Sequence, residues 1–140
     1  QKEVADRIIA KPRSTNSGKV GEMSVLAVSV QYYGEPKIVT KVAKGSFWPA
    51  PKVDSAVLHI NIKTQEYHNR EFDKKFFEVV RAGFANKRKQ LWRNLSVGLN
   101  LEGEKIKSVL SEIVGNEKIR AEELSVDEWI KITQLLVTDY

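Results

Sequence analysis

The sequence contains no cysteine. Disulfides, thiolate metal sites and a cysteine nucleophile are thereby excluded. Histidine is scarce: His59 and His68 are the only two, nine positions apart. One falls in an apolar alternation and the other beside a turn, and neither is read as a ligand or a base. Asp54 and Asp73 are not spaced as a paired acid and base. Neither Gly-x-x-x-x-Gly-Lys-Ser/Thr nor Gly-x-Gly-x-x-Gly occurs, so no device for holding a nucleotide cofactor is visible. No apolar run approaches the roughly 20 residues that span a bilayer, and no basic-then-apolar leader opens the chain. These absences fit a reducing, cytoplasmic setting with no membrane partner. The start, Gln1-Lys2-Glu3-Val4, carries no initiator methionine, and is read as a trimmed end.

What is present is basic charge, unevenly placed. The 140 residues carry a net charge of +5, with 41% hydrophobic and 29% charged residues, a composition for a folded globular chain. Eighteen of the 23 Lys and Arg residues precede Glu102, against nine of the 18 Asp and Glu residues. Between Arg81 and Arg93 lie Arg81, Lys87, Arg88, Lys89 and Arg93 with no acidic residue among them. Such a cluster suits a polyanion, with RNA or DNA the first candidate; the competing reading is a solvated helix face.

Periodicity divides the chain into a β-rich front and a helical back. Gln1 to Ala10 reads as a short helix that Pro12 stops. Arg13 to Gly21 reads as a loop. Ser24 to Tyr33 is rich in β-branched and aromatic residues, and its near-continuous apolarity predicts a strand buried on both faces. Gly34-Glu35-Pro36 reads as a turn. Lys37 to Ala43 and Ser55 to Ile62 read as two further strands joined by a proline-stiffened loop. From Phe72 onward apolar residues recur at helical spacing. One helix carries Phe72, Phe76, Val79 and Val80, a short one Leu91 and Leu95, and another Ile106, Val109, Leu110 and Ile113. A last helix opens on the capping box Ser125-Val-Asp-Glu128. The fold class is therefore α+β, with residues 1–65 and 66–140 as two units. An interior-looking strand at 24–33 without neighbours predicts sheet partners outside this chain, and an open edge available for self-association.

Two stretches carry candidate chemistry. In Gly45-Ser-Phe-Trp-Pro-Ala-Pro-Lys-Val-Asp-Ser55, Pro49 and Pro51 each fix φ and remove an amide donor. They hold Phe47 and Trp48 on a rigid loop, where a ring can stack on a base for about 1–3 kcal/mol. Alternatively both rings fold back as a lid over the sheet. In Arg81 to Leu95, the apolar Phe84, Leu91 and Leu95 face a core while Lys87 to Lys89 and Arg93 project outward. That arrangement grips phosphates without reading sequence.

At these stretches the chain resembles a family. Phe47-x-Pro-x-Pro-Lys-Val-Asp-Ser55 is similar to the carboxy-proximal motif of the rRNA adenine N6-dimethyltransferases. Arg81-x-x-Phe84 followed by Lys87-Arg-Lys-x-Leu-x-x-Asn-Leu95 resembles the start of that family's helical domain, in its KsgA (RsmA) form that acts on 16S rRNA. Gln1-Lys-Glu-Val-Ala-Asp-Arg7, Lys11-Pro12, Ser24-Val-Leu, Val30-Gln-Tyr-Tyr33 and Arg120-Ala-Glu-Glu-Leu-Ser125 extend the likeness over nearly the whole chain.

The resemblance implies the last strands of a Rossmann-like methyltransferase sheet followed by a small all-helical domain. It implies a parent enzyme that transfers methyls from S-adenosylmethionine to two adjacent adenines near the 3′ end of small-subunit rRNA, with the 30S subunit as partner. Phe47 is expected to stack on the target adenine, supported by Pro49, Pro51 and Ser55. Lys52, Arg81, Lys87, Arg88, Lys89 and Arg93 are expected to bind rRNA. The family's Gly-rich donor loop, its acidic ribose ligand and its Asn-Leu-Pro-Tyr segment are not in these residues, and the loop at 13–22 is longer than the family's. No catalytic, cofactor or metal residue is therefore assigned, and this chain alone is expected neither to bind S-adenosylmethionine nor to methylate. The alternatives are a non-catalytic RNA-binding or ribosome-assembly module, a paralogue acting as a mitochondrial transcription factor, and a purely structural α+β domain.

Overall fold

The computed structural model describes residues 1–12, 22–64 and 69–137. In chain order the elements are α1 (Lys2–Ile8), α2 (Val25–Tyr33), β1 (Gly34–Val42), β2 (Ser55–Ile62), α3 (Arg70–Gly83), α4 (Leu91–Leu99), α5 (Gly103–Val114) and α6 (Val126–Val137). Short 3-10 turns lie at Lys44–Ser46 and Ala121–Glu123. The expected loop at 13–21, the unit boundary at 65/66 and His68 fall outside the described residues.

Residues 24–33 are a helix, not the buried strand that their β-branched content predicts. The Ser24 side chain caps α2 by accepting a hydrogen bond from the Ala27 amide at 3.2 Å. Ala27, Val28 and Tyr32 are buried along one face while Val25, Leu26 and Tyr33 remain partly exposed. A short apolar run does not distinguish strand from helix by periodicity alone; here the cap and the packing of one face go with the helix. With a helix at this place there is no open strand edge, so the basis for self-association through 24–33 is gone. Gln31 on α2 donates from Nε2 to the carbonyls of Ile8 and Ala10, both at 2.8 Å, and so ties the end of α1 to α2.

The sheet has two antiparallel strands instead of the three read from the sequence. Gly34-Glu35-Pro36, expected as a turn, forms the first residues of β1, which follows α2 without a loop. A Cβ at Gly34 would lie 2.5 Å from Ile60 Cγ2, so only glycine fits where helix passes into strand. Register runs from Gly34 opposite Ile62 to Val42 opposite Ser55, with a bulge between Ile38 and Thr40. The bulge breaks the alternation along β1: Ile38 and Val42 are half-buried while Thr40, between them, is exposed.

The four long helices enclose the core. Phe76, Val80, Leu91, Leu95, Ile106, Leu110, Ile132 and Trp129 are each fully buried. Phe84 stacks on Trp129 with centroids 5.5 Å apart. The capping box of α6 forms as the sequence predicts: the Glu128 amide donates to Ser125 Oγ at 3.2 Å, and the Ser125 amide to Glu128 Oε2 at 2.7 Å.

Ala27, Val28 and Tyr32 of α2 join this core, the Met23 amide donates to the Glu122 carbonyl at 3.4 Å, and an aromatic joint connects α2 to α3. Tyr32 stacks on Phe76 at a centroid distance of 4.0 Å and meets Phe77 edge-on at 5.4 Å. Its hydroxyl donates to Asp73 Oδ1 at 2.7 Å, and the Tyr33 hydroxyl donates to Oδ2 at 3.4 Å. Asp73 sits in the first turn of α3, where the helix dipole favours an anion. Burial first, then the Asp73 charge and hydrogen bond, raise the Tyr33 pKa above its ordinary value.

Tyr32→Phe keeps the ring but strips Asp73 of its shorter hydrogen bond. A loss of about 1.5–3 kcal/mol, as for other bonds to charged groups, is expected in urea unfolding. An unchanged midpoint would show that the ring contact alone makes the joint.

Candidate nucleic-acid interface

The sequence-predicted residues fall into two groups on different elements. The first is the loop joining β1 to β2. After the 3-10 turn at Lys44–Ser46, the chain runs out through Phe47 and Trp48 and returns through Pro49 and Pro51. Ser55 opens β2 opposite Val42. Phe47 is 45% exposed and Trp48 97% exposed. The rings therefore do not both fold back as a lid: Trp48 stands in solvent, and Phe47 keeps an accessible face.

Asp54 pins this loop, a part that sequence alone did not suggest for it. Its Oδ1 accepts from the Lys44 amide at 2.9 Å, and its carbonyl accepts from the Lys2 amide at 3.0 Å. One residue thus closes the loop on itself and fastens it to the start of α1. An Asx residue at the end of a proline-bearing turn is the signal that points to such a staple. Lys2, Lys44 and Lys52, together with Glu3, Asp6 and Asp54, line a cleft of about 420 Å³ beside the loop. Among the described residues, neither Lys44 nor Lys52 has a carboxylate within salt-bridge distance.

The second group surrounds the turn between α3 and α4. Arg81 lies exposed in the last turn of α3. Lys87, Arg88 and Lys89 are exposed on the turn itself, and Arg93 is exposed near the start of α4. Among the described residues none of the five is paired with an acidic side chain. Their charges remain open to an outside anion, as the competing reading of a solvated face would also allow.

The turn that carries them is built from beneath by Asn94. This side chain is buried, and its Nδ2 donates to the Gly83 carbonyl at 2.7 Å and to the Asn86 carbonyl at 3.0 Å. Asn86 in turn accepts the Arg88 amide on its side-chain oxygen at 3.2 Å and the Lys89 amide on its carbonyl at 3.1 Å. Gly83 leaves room for this turn: an added Cβ would strike the Trp129 ring and come within 2.8 Å of Leu91 Cδ1. The Leu91 amide donates to the Ile119 carbonyl at 2.9 Å, which fixes the start of α4. Asn94 was visible in the sequence only as part of a motif, because a buried amide bridging two carbonyls leaves no periodic trace.

Other candidates take different places. His59 is exposed on β2. Asp54 and Asp73 are occupied in the loop staple and the tyrosine joint. Among the described residues no cluster of His, Cys, Asp and Glu is arranged to hold a metal ion, and no helix is long and apolar enough to cross a membrane.

Comparison with known proteins supplies the context. Residues 1–138 match the family Ribosomal RNA adenine dimethylase. A ribosomal RNA small subunit methyltransferase A of Fusobacterium nucleatum is 40% identical over 136 residues, covering 96% of this chain and 48% of that protein. The protein of that name from Dehalococcoides mccartyi is 39% identical over 132 residues, covering 94% and 43%. That from Bacillus cytotoxicus is 39% identical over 140 residues, covering 98% and 46%. The chain thus spans less than half the length of these curated relatives. Among solved structures, a dimethyladenosine transferase from Plasmodium falciparum superposes with a TM-score of 0.72 at 22% identity, covering 94% of this chain and 53% of that one. The 23S rRNA methyltransferase ErmE gives 0.68 at 20% identity, covering 98% and 52%. The two structures share the fold, so the hairpin followed by helices belongs to the architecture of rRNA methyltransferases, as the sequence led one to expect. The chain belongs to the ribosomal RNA adenine dimethylase family.

Proposed function

We propose that this chain is the base-presenting and RNA-gripping part of an rRNA adenine N6-dimethyltransferase. The parent enzyme would transfer methyls from S-adenosylmethionine to two adjacent adenines near the 3′ end of small-subunit rRNA in the 30S subunit, in the cytoplasm. The observation that carries this reading is the unpaired basic turn at Lys87 to Lys89, held in shape by Asn94, in a chain of this family.

The division of labour follows from the two groups. A base taken out of its stack needs a new surface to lie on. The accessible face of Phe47, on a loop stiffened by Pro49 and Pro51 and pinned beside Ser55, offers one. Lys87, Arg88, Lys89, Arg93 and Arg81 would neutralise backbone phosphates, with Lys52 adding charge beside the loop. Such contacts set position and affinity and leave sequence choice to the base site.

S-adenosylmethionine supplies the methyl groups in this reaction, but the residues described do not fit a site for it. A donor nucleotide is held where a strand turns into a helix through a glycine-rich loop. The strand-to-helix passage from β2 to α3 is Lys63-Thr-Gln-Glu-Tyr-His-Asn69, which contains no glycine. The donor site is therefore assigned to the part of the relatives that this chain does not span. Val39, Val57 and Ile62 are 61%, 47% and 71% exposed on the hairpin, and that same part would cover them.

Four outcomes are expected. The chain binds small-subunit rRNA at low salt, and its affinity falls linearly on a log scale as salt rises. Replacing Lys87, Arg88 and Lys89 by Ala reduces the magnitude of that slope by about 2–3, near 0.7–0.9 for each phosphate no longer neutralised. Binding that does not weaken with salt removes the electrostatic basis. Asn94→Ala weakens RNA binding without removing a charge, because the turn loses its support; equal affinity at preserved helicity would show that the turn needs no fixed shape. Incubated with 30S subunits and labelled S-adenosylmethionine, the chain alone incorporates no methyl groups, and measurable incorporation would place a donor site within it.

A further inference from the structure

The function proposed above uses Phe47 and gives its neighbour Trp48 no role. The three tryptophans of the chain occupy different settings. Trp129 is fully buried in the helical core. Trp92 carries the Lys107 ammonium 4.4 Å from its ring centroid, and its indole donates to Gln90 Oε1 at 2.8 Å. Trp48 is 97% exposed. A large apolar ring held in water gains free energy when a partner covers its face. Here the ring also stands on a loop that cannot collapse to bury it. Pro49 and Pro51 fix the backbone behind it, and Asp54 anchors the loop at both Lys44 and Lys2.

Backbone geometry relates the two aromatic residues. Phe47 is extended, with φ −115° and ψ 149°. The chain bends through Phe47, Trp48 and Pro49, so the two adjacent rings leave it where its direction changes. Phe47 is 45% exposed and Trp48 97% exposed, so both rings offer a face to solvent, that of Trp48 almost entirely. The same loop bears Lys44 and Lys52, which suit the phosphates of a single strand. An exposed aromatic with basic neighbours on a rigid loop is the combination that holds unpaired nucleotides.

We propose that Trp48 is a second stacking platform, for the nucleobase next to the one that Phe47 receives. The proposal rests on the reading of Phe47 as a base platform. Taking one base out of a strand strips its neighbour of a stacking partner, and the cost of that unstacking opposes extrusion. Trp48 replaces the missing base with an indole face. It thereby lowers the cost of extrusion and fixes the flanking nucleotide, without selecting which base it is. Trp48 is a positioning residue: it touches the RNA beside the reacting adenine and not the reacting atoms.

The probe is an RNA hairpin with two adjacent unpaired adenines, titrated into the chain at low salt. Acrylamide reaches chiefly Trp48 among the three indoles, so RNA binding is expected to quench the exposed emission and to shield it from acrylamide. Trp48→Ala is expected to weaken binding about ten-fold, within the range for loss of one base stack, while Trp48→Phe retains most of it. Because the side chain is exposed, both variants should match the parent in urea unfolding. Replacing each adenine in turn by an abasic nucleotide should separate the platforms: one replacement removes the effect of Trp48→Ala, the other that of Phe47→Ala. If RNA binds Trp48→Ala as it binds the parent and the exposed emission is unchanged, the proposal is overturned while the RNA-binding reading stands. Loss of both effects with the same abasic nucleotide likewise overturns it, since the two rings would then serve one base. No binding at low salt sinks both readings together, and would leave a protein surface as the occupant of the ring.

Discussion

The contact between Tyr32 and the first turns of α3 is the constraint on which the arrangement depends. Tyr32 lies in the last turn of α2, and β1 follows that helix directly after Tyr33, so the direction of the hairpin is set where this side chain is held. The ring lies against Phe76 and Phe77, and the hydroxyl lies on Asp73. Stacking and edge contacts fix the ring plane, and the charge-assisted hydrogen bond fixes its rotation. Asn69 caps α3 by accepting the Phe72 amide at 2.8 Å, and so sets the phase of the helix that presents Asp73. The loop at Phe47 and the basic turn thereby belong to one framework, although they lie on different elements.

The two candidate surfaces are made rigid by different means. The loop at Phe47 is held mainly through the backbone: two prolines restrict φ, and one carboxylate takes an amide that would otherwise be free. The basic turn is held through a side chain, with the Asn94 amide bridging two carbonyls from below. Each device suits the role proposed for its surface. A stacking ring must keep its orientation, which proline enforces in few residues. Phosphate contacts need placed charge on side chains that stay free to adjust, and a fixed turn bearing long flexible cations provides that.

Legibility in the sequence followed the same physics. The helical back was readable because amphipathic spacing is strong over α3 and α5, and because Ser125 and Glu128 announce the start of α6. β2 was readable because alternation was clean from Ser55 to Ile62. Residues 24–33 were misread since Val, Tyr and Leu in succession satisfy a buried strand as well as a helix, and the Ser24 cap weighs little beside them until tertiary packing is known. The turn expected at Gly34 was an error of the same kind: glycine and proline mark turns on average, but this glycine is demanded by the approach of Ile60. The clustering of Phe47 with the prolines and of Lys87 to Lys89 with Arg93 was fully visible. Asp54 and Asn94, which hold those clusters in shape, were not, because hydrogen bonds across eight to eleven residues follow no period.

This contrast bears on how such a surface can change. Charges on an exposed turn are individually replaceable, since each contributes a separable increment to binding a polyanion. The residues beneath them are not, since Asn94 satisfies two carbonyls at once and no other side chain of its size offers two donors from one short arm. Substituting Asp would present acceptors to acceptors, and Leu would leave the buried Gly83 carbonyl without its partner. In the proposed interface the charge therefore resides in residues that tolerate exchange, whereas the geometry resides in a few polar residues that do not.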